Sequence, residues 1–325
     1  MSTNTKVKWG VLGTANIADY GMIPGALLAE SCELHAIAGR SQEKVDKYVN
    51  KFGFNKGYIG YDKLLEDDEI QAVYVPLPND IHKEWVIKAL RAGKHVLCEK
   101  PLALNKTEAE EMYKVARENN VILMEAYAYL HSPYVKSLQD DVNSGIIGEP
   151  LFIETAFYTQ GYDEDFRLHK ELGGGMVYDL GCYCTTMILS LINSDVSMVK
   201  AVAEMTDEDV DASTAAILKF KNGARAAFNC GMVLGNNARY DRLYIKGTKG
   251  YIESFVEYNQ SGKLKYEITV DGTKTVREVD APNNYSLEVE NLSKCILGLS
   301  TPLVTPEFSL KNSALLDAIL EEIGY

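Results

Sequence analysis

The chain has 325 residues, 46% of them apolar and 24% charged, an ordinary globular composition with length enough for two cores. A net charge of -13 and a pI near 5.0 argue against nucleic acid or an anionic membrane as the main partner. The six cysteines show no paired Cys-x-x-Cys spacing, so neither a disulfide framework nor a zinc site is expected, and they read as reduced thiols in a cytoplasmic protein. Met1 to Thr5 lacks a signal peptide's apolar core, and no apolar run reaches about 18 residues, which predicts a protein neither exported nor membrane-bound.

Lys6 to Leu12 reads as a short strand, and Gly13-Thr14-Ala15-Asn16-Ile17-Ala18 turns it into a helix running to about Ala29. The turn is a dinucleotide-binding fingerprint in which Ala15 and Ala18 replace the second and third glycines. Its small residues would let backbone amides approach a pyrophosphate at a helix N-terminus; a plain strand-to-helix turn is the simpler alternative. Glu33 to Gly39 and Gln42 to Phe52 continue the pattern as strand and helix. An acidic residue closing that strand would suit a free ribose 2′-hydroxyl, but the position holds Gly39-Arg40-Ser41, and Arg40 with Ser41 suits a 2′-phosphate unless Arg40 simply faces solvent.

Ala72 to Pro76 is the next buried strand, and Leu77-Pro78-Asn79-Asp80-Ile81-His82 leads to a helix over Lys83 to Ala92 that Asn79 or Asp80 can cap. His82 either faces a cofactor at the strand tips or is exposed. His95 to Glu99 then forms a short apolar strand cut off by Glu99-Lys100-Pro101. Pro101 keeps Lys100 out of the helical region, so its ammonium projects over a strand's carboxyl end, where open α/β sheets bind ligands. A lysine with few waters around it trades a proton near neutral pH; a solvated loop lysine is the bland reading. A helix over Lys106 to Asn119 and a strand over Val121 to Ala126 complete a six-strand open parallel sheet.

Strand-helix alternation stops near Glu125 to Tyr129, which divides the chain into a domain over 1–126 and a second over 127–325. Pro133 to Ser144 reads as a helix and Leu151 to Phe157 as a strand. Gly173-Gly174-Gly175 can bring backbone close to a ligand ahead of a helix. On that helix Asp179 and Tyr183, four apart, share a face; a core tyrosine with a satisfied hydroxyl is the alternative for Tyr183. The remainder alternates as an antiparallel meander with turns at Asn222-Gly223, Gly247-Thr248-Lys249-Gly250 and Asp271-Gly272, closed by helices over about Ser286 to Leu299 and Ser309 to Ile323. The fold class is therefore α/β: an N-terminal Rossmann doubly wound parallel sheet followed by an α+β domain with a large, mostly antiparallel open sheet.

With the turn at Gly13, Glu99-Lys100-Pro101, and Gly-Gly-Gly-x-x-x-Asp-x-Gly-x-Tyr in that order, the chain resembles the Gfo/Idh/MocA oxidoreductase family along nearly its whole length. Tyr183 and the opening Trp9-Gly10-Val11-Leu12-Gly13-Thr14-Ala15 are similar to the branch holding glucose-fructose oxidoreductase, dimeric dihydrodiol dehydrogenase and NADP-dependent xylose dehydrogenase. The resemblance implies that Lys100 is the catalytic lysine, oriented by Glu99 and followed by a bond that is often cis, with Asp179 and Tyr183 on the substrate side. It implies cofactor contacts from Gly13, Thr14, Ala15, Asn16, Ile17, Arg40, Ser41, Pro76, Leu77, Asn79, His82, Glu99, Lys100 and Arg167. Leu130 stands where relatives commonly carry arginine.

The expected function is an oxidoreductase that prefers NADP(H), with NAD(H) possible, needs no metal, and interconverts hydroxyl and carbonyl on a sugar or sugar-like molecule, Lys100 and Tyr183 meeting the reacting oxygen. The alternatives are a dehydrogenase for trans-dihydrodiols or other cyclic alcohols, a non-catalytic nicotinamide-nucleotide sensor, and a cofactor-dependent glycosidase. The second domain's open sheet is the expected surface for a homodimer or homotetramer.

Overall fold

The computed structural model describes residues 5–255 and 257–325. Two compact units divide it, one running to His131 and taking in Asn283–Leu310, the other formed by Ser132–Pro282 with Lys311–Tyr325.

The first unit alternates β1 (Val7–Leu12), α1 (Ile23–Leu28), β2 (Cys32–Gly39), α2 (Gln42–Phe52), β3 (Lys56–Ile59), α3 (Tyr61–Leu65), β4 (Ala72–Val75), α4 (His82–Arg91), β5 (His95–Glu99), α5 (Lys106–Glu118) and β6 (Leu123–Ala126). The strands form one parallel sheet in the order β3-β2-β1-β4-β5-β6. All four residues of β4 are buried, as are the central residues of β5, because helices cover both faces of a parallel sheet. The strand order reverses between β1 and β4, and the loops that leave these strands and β5 lie at the sheet's carboxyl edge.

The sixth strand, which periodicity did not place, is β3: it is short, sits at the sheet edge and alternates half-buried with exposed residues, so no apolar run announces it. Capping of α4 by Asn79 or Asp80 is not what forms. A 3₁₀ turn over Asn79–Ile81 leads into the helix, Ile81 takes the cap position, and no side chain bonds there. By contrast α2 and α5 start at Ser41 and Asn105, whose side chains accept Lys44 N–H at 3.4 Å and Glu108 N–H at 2.9 Å.

A late segment, α8 (Asn284–Ile296), belongs to this unit. Trp9, fully buried in β1, donates its indole N–H to Ser293 Oγ at 3.0 Å, and Glu290 takes both the N–H and the hydroxyl of Ser31. A Cβ on Gly25 of α1 would lie 2.5 Å from Tyr285 Cβ, so the two helices pack at a distance only glycine allows.

The second unit holds α6 (Pro133–Asn143), β7 (Pro150–Gln160), α7 (Cys182–Leu191) and the strands β8 (Val196–Met205), β9 (Asp211–Phe220), β10 (Arg225–Leu234), β11 (Arg239–Gly247), β12 (Gly250–Ser254), β13 (Gly262–Val270) and β14 (Thr273–Ala281), followed by the part of α9 (Pro306–Ile323) from Lys311 onward. The sheet runs β14-β13-β12-β11-β7-β10-β9-β8, with β7 parallel to β10 and every other pair antiparallel. It is not the plain meander expected, because β7, the first strand made, is inserted between β11 and β10. The turns predicted at Asn222-Gly223 and Asp271-Gly272 form: Gly223 has φ 92°, and Asp271 and Gly272 have φ 49° and 76°, the left-handed pair a tight hairpin needs. One side of each central strand is buried, while Tyr158, Tyr240, Tyr244 and Tyr251 line the other, half-buried or exposed.

Candidate active site

At the tip of β1 the chain reverses at Gly13, whose φ of 128° is open only to glycine. Its N–H bonds Ala38 O at 2.8 Å, and a Cβ there would stand 3.3 Å from the Leu77 side chain. The helix expected after this turn begins as a π-turn, Ala18–Met22, before α1. Tyr48 of α2 donates its hydroxyl towards Thr14 O and Ala15 O at 3.3 and 3.2 Å, so the turn's carbonyls are fastened to the unit behind them. A glycine-only cradle with its carbonyls already engaged fits a dinucleotide pyrophosphate, which needs amides rather than carbonyls facing it. Arg40, just past β2, is exposed. Ser41 Oγ already accepts the α2 cap bond, and its own proton remains to donate.

His82 is neither cofactor-facing nor exposed. It is fully buried, with Nδ1 2.9 Å from Pro101 O and Nε2 2.8 Å from Leu77 O. Both ring nitrogens are thus occupied by backbone carbonyls, which ties the loop after β4 to the Lys100 turn and corrects the expected cofactor contact through its ring. Burial pushes its pKa down, the two carbonyls oppose this, and the charge of Lys100 pushes it further down.

Lys100 follows β5 as expected, and the Lys100–Pro101 bond is cis. Glu99 accepts the Tyr74 hydroxyl on Oε1 at 2.5 Å and the Lys100 backbone N–H on Oε2 at 3.3 Å, so its carboxylate orients the turn from below. Two more carboxyls lie in this unit near Glu99: Glu125 on β6 and Glu288 on α8, each 1% exposed. Burial pushes Glu125 up to about 7, and burial followed by the charge of Glu99 pushes Glu288 well above the usual carboxylate range.

In the second unit the glycine run packs closely against the chain's own backbone and side chains. A Cβ on Gly174 would lie 2.5 Å from Arg167 O, and one on Gly175, whose φ is 96°, would lie 2.3 Å from Asp211 Oδ1. Gly175 N–H bonds Arg167 O at 2.8 Å, and the Tyr325 hydroxyl donates to Gly174 O at 2.9 Å. Asp211 Oδ2 accepts Val177 N–H at 2.9 Å and the Thr214 hydroxyl at 2.7 Å; burial pushes this carboxyl up to about 6 against those bonds. Val177–Gly181 is a second π-turn, running into α7, so Asp179 and Tyr183 do not superpose as residues four apart on an α-helix would. Asp179, nearly buried, pairs with Arg167, whose Nε lies 2.8 Å from Asp179 Oδ2 and whose Nη1 lies 2.9 Å from Asp165 Oδ1. Tyr183 meets Phe157 and Tyr258 with ring centroids 5.4 and 5.2 Å apart, and those two stack on each other at 4.9 Å. Arg239 lies over Phe157 at 4.6 Å and is held by Asp241 at 2.6 Å.

Residues 7–127 match the family model described as "Oxidoreductase family, NAD-binding Rossmann fold", and residues 135–253 match the GFO/IDH/MocA C-terminal domain. The chain is 30% identical to dTDP-3,4-didehydro-2,6-dideoxy-alpha-D-glucose 3-reductase of Actinomadura kijaniata, over 96% of this chain and 94% of that protein. It belongs to the Gfo/Idh/MocA oxidoreductase family. The D-xylose 1-dehydrogenase (NADP(+)) 2 of Haloferax volcanii is 30% identical over 96% of both chains, and the trans-1,2-dihydrobenzene-1,2-diol dehydrogenase of Xenopus laevis 31% identical over 98% of both. Among solved structures, KijD10, a 3-ketoreductase from Actinomadura kijaniata in complex with NADP and TDP-benzene, superposes with a TM-score of 0.92 at 29% identity, covering 98% of each chain.

For a Gfo/Idh/MocA enzyme, the residues that sequence reasoning missed are those contributed from ordinary strand and helix positions: Glu125, Glu288, Asp211, Phe157, Tyr258 and Arg239. Only Glu125 carried a signal, as an acid in a stretch otherwise apolar. Leu130, which stands where the resemblance implies an arginine, is buried. His35, Asp67 and Glu69 bring ligand-type atoms within 4.8 Å of one another. Lys56 already bonds Asp67 and Glu69 at 2.9 and 2.6 Å, and Lys8 bonds Glu69 at 2.7 Å, which makes the cluster an ion-pair network. Among the described residues, no helix is long and apolar enough to cross a membrane.

Proposed function

We propose that this oxidoreductase uses NADP(H) in preference to NAD(H) and interconverts a hydroxyl and a carbonyl on a sugar or sugar-like molecule. The observation that carries the reading is Lys100 at the carboxyl end of β5, on a turn that Glu99 and His82 hold in place. Gly13, Thr14, Ala15, Asn16 and Ile17 would hold the pyrophosphate side, Arg40 and Ser41 the 2′-phosphate, and Pro76, Leu77 and Asn79 the nicotinamide side. When bound, the nicotinamide supplies or accepts the hydride. Lys100 moves the proton to or from the substrate oxygen, and the Tyr183 hydroxyl donates a hydrogen bond to it. Arg167 would stand among the cofactor contacts, and its ion pair with Asp179 would orient that carboxylate for a substrate hydroxyl. Residues 1–126 would carry the cofactor, and 127–325 the substrate and a homo-oligomer contact through the tyrosine-lined sheet face. The buried free cysteines suit the cytoplasm.

Nicotinamide absorbance with NADP(H) and NAD(H) against aldoses, ketoses, deoxy-keto sugars and aromatic diols tests this. Turnover of a sugar with NADP(H) supports the reading. Turnover confined to trans-dihydrodiols favours the second reading, which the similarity to the Xenopus laevis enzyme supports. Cofactor binding with no turnover of any class would leave a sensor.

A further inference from the structure

One buried ionisable group beside the Lys100 turn has no part in the chemistry above. Glu125 stands on β6 opposite Cys98 of β5, two residues before Lys100, and its Oε1 accepts the N–H of Leu102 at 2.9 Å, two residues after it. The carbonyl of the same peptide unit, Pro101 O, lies 2.9 Å from His82 Nδ1. The peptide joining Pro101 to Leu102 is therefore held at its oxygen by an imidazole and at its N–H by a carboxyl group. An N–H needs only a neutral acceptor, and a carboxylate buried where an amide would serve costs free energy, so its presence calls for a reason beyond the bond. The groups that face Glu125 are Glu99 and Cys98 from β5, Tyr113 from α5, Tyr127 just beyond β6 and Ser309 from α9.

We propose that Glu125 is a positioning residue for Lys100: it fixes the Pro101–Leu102 peptide and places a second ionisable charge behind Glu99, so that the charge on Lys100 follows the charge on Glu125. The inference rests on the reading of Lys100 as the proton-transfer group. Burial pushes Glu125 up to about 7, Ser309, the Leu102 N–H and Tyr127 oppose the rise, and Glu99 adds to it. Above that pH the carboxylate favours the Lys100 ammonium; below it the favour is withdrawn. Glu125→Gln keeps the acceptor and the volume but never ionises, and so lowers the pH at which Lys100 loses its proton.

Competitive labelling of the full-length protein with trace acetic anhydride across pH, read by mass spectrometry of the Lys100 peptide against exposed Lys114, measures this without a substrate. The expected result in Glu125→Gln is a lower midpoint for Lys100 and a reactivity at pH 8 raised roughly 3-fold or more, with Lys114 unchanged. The unmodified protein should show a Lys100 curve that departs from a single titration near pH 7. A Lys100 curve in Glu125→Gln that superposes on the unmodified one, whatever the melting temperature does, overturns the proposal and leaves Glu125 as scaffold. Should the variant not fold, a single-site curve in the unmodified protein overturns it equally. Turnover retained in Lys100→Met would instead defeat the parent reading, and the labelling result would stand apart from it.

Discussion

The two units build their candidate ligand turns on the same plan and secure them by different means. Each turn passes through a glycine of positive φ, Gly13 in the first and Gly173 and Gly175 in the second, then a π-turn, Ala18–Met22 or Val177–Gly181, and then an α-helix. The first turn is held by its own strand, by Ala38 O and by the Tyr48 hydroxyl, all from the β1-α1-β2-α2 stretch of the chain. The second is held by Asp211 and Tyr325, 34 and 151 residues from the backbone groups they bond. A turn that presents backbone can be made locally. The turn that leads into Asp179 and Tyr183 is secured instead by a buried carboxyl and a tyrosine hydroxyl brought from far along the chain.

The largest expected effect lies on the first side of this comparison. Lys100→Met keeps the turn and its Glu99, His82 and Glu125 bonds, which involve backbone atoms, so it should bind NADPH normally and lose about 100-fold or more in turnover. Steady-state rates beside a fluorescence titration of NADPH check it, and unchanged turnover would remove Lys100 from the chemistry.

Gly175→Ala tests the second turn. The added methyl would collide with Asp211 Oδ1 at 2.3 Å in a backbone conformation of φ 96°, and a loss of about 2 to 3 kcal/mol in urea-unfolding stability is expected. Gly13→Ala is strained as well, at φ 128°, but its methyl would come no closer than 3.3 Å to the Leu77 side chain and 3.8 Å to Pro76 O, and it should cost less stability. Equal losses would mean that the two turns are secured alike.

The same contrast explains what was legible in the sequence. The strands β1, β2, β4 and β5, the helix α2 and the Lys100 turn were readable because each is specified by adjacent residues: apolar runs, helical spacing, a proline after a charged pair. The edge strand β3 was not, since its half-exposed residues carry no apolar pattern. Nor was the place of Asn283–Leu310 in the first unit, because an amphipathic helix such as α8 does not say which core it will cover. His82 was visible as a residue out of place but not as a bridge between Leu77 O and Pro101 O, since a bond to backbone leaves no mark on its partner's side chain. Glu125 falls in the same class.

Arg40 sharpens the comparison from the cofactor side. Exposed and just past β2, it supplies a planar fork of donors suited to phosphate oxygens. Arg40→Ala should raise the dissociation constant for NADPH by about one to two decades, the equivalent of roughly 1.5 to 3 kcal/mol, and leave NADH nearly unchanged. Calorimetric titration of both cofactors decides it, and equal weakening of the two would show that Arg40 does not read a 2′-phosphate.

The smallest expected effect belongs to Tyr48, whose side chain fastens the first turn from α2. Its hydroxyl lies 3.2 Å from Ala15 O and 3.3 Å from Thr14 O, long distances shared between two acceptors, and each carbonyl can turn to water if the hydroxyl is removed. The ring packs against Phe52 at 5.6 Å and stays in place in Tyr48→Phe. Only the fastening is lost, a net of about 0.5 to 1.5 kcal/mol, and the expected result is a dissociation constant for NADPH raised roughly 2- to 10-fold with turnover at saturation unchanged. NADH should weaken by the same factor, because the bond acts on the pyrophosphate turn that both cofactors share, which separates Tyr48 from Arg40. A fall in turnover at saturating cofactor would show that the first turn, too, aims groups that take part in the chemistry, and the contrast between the two turns would then fail.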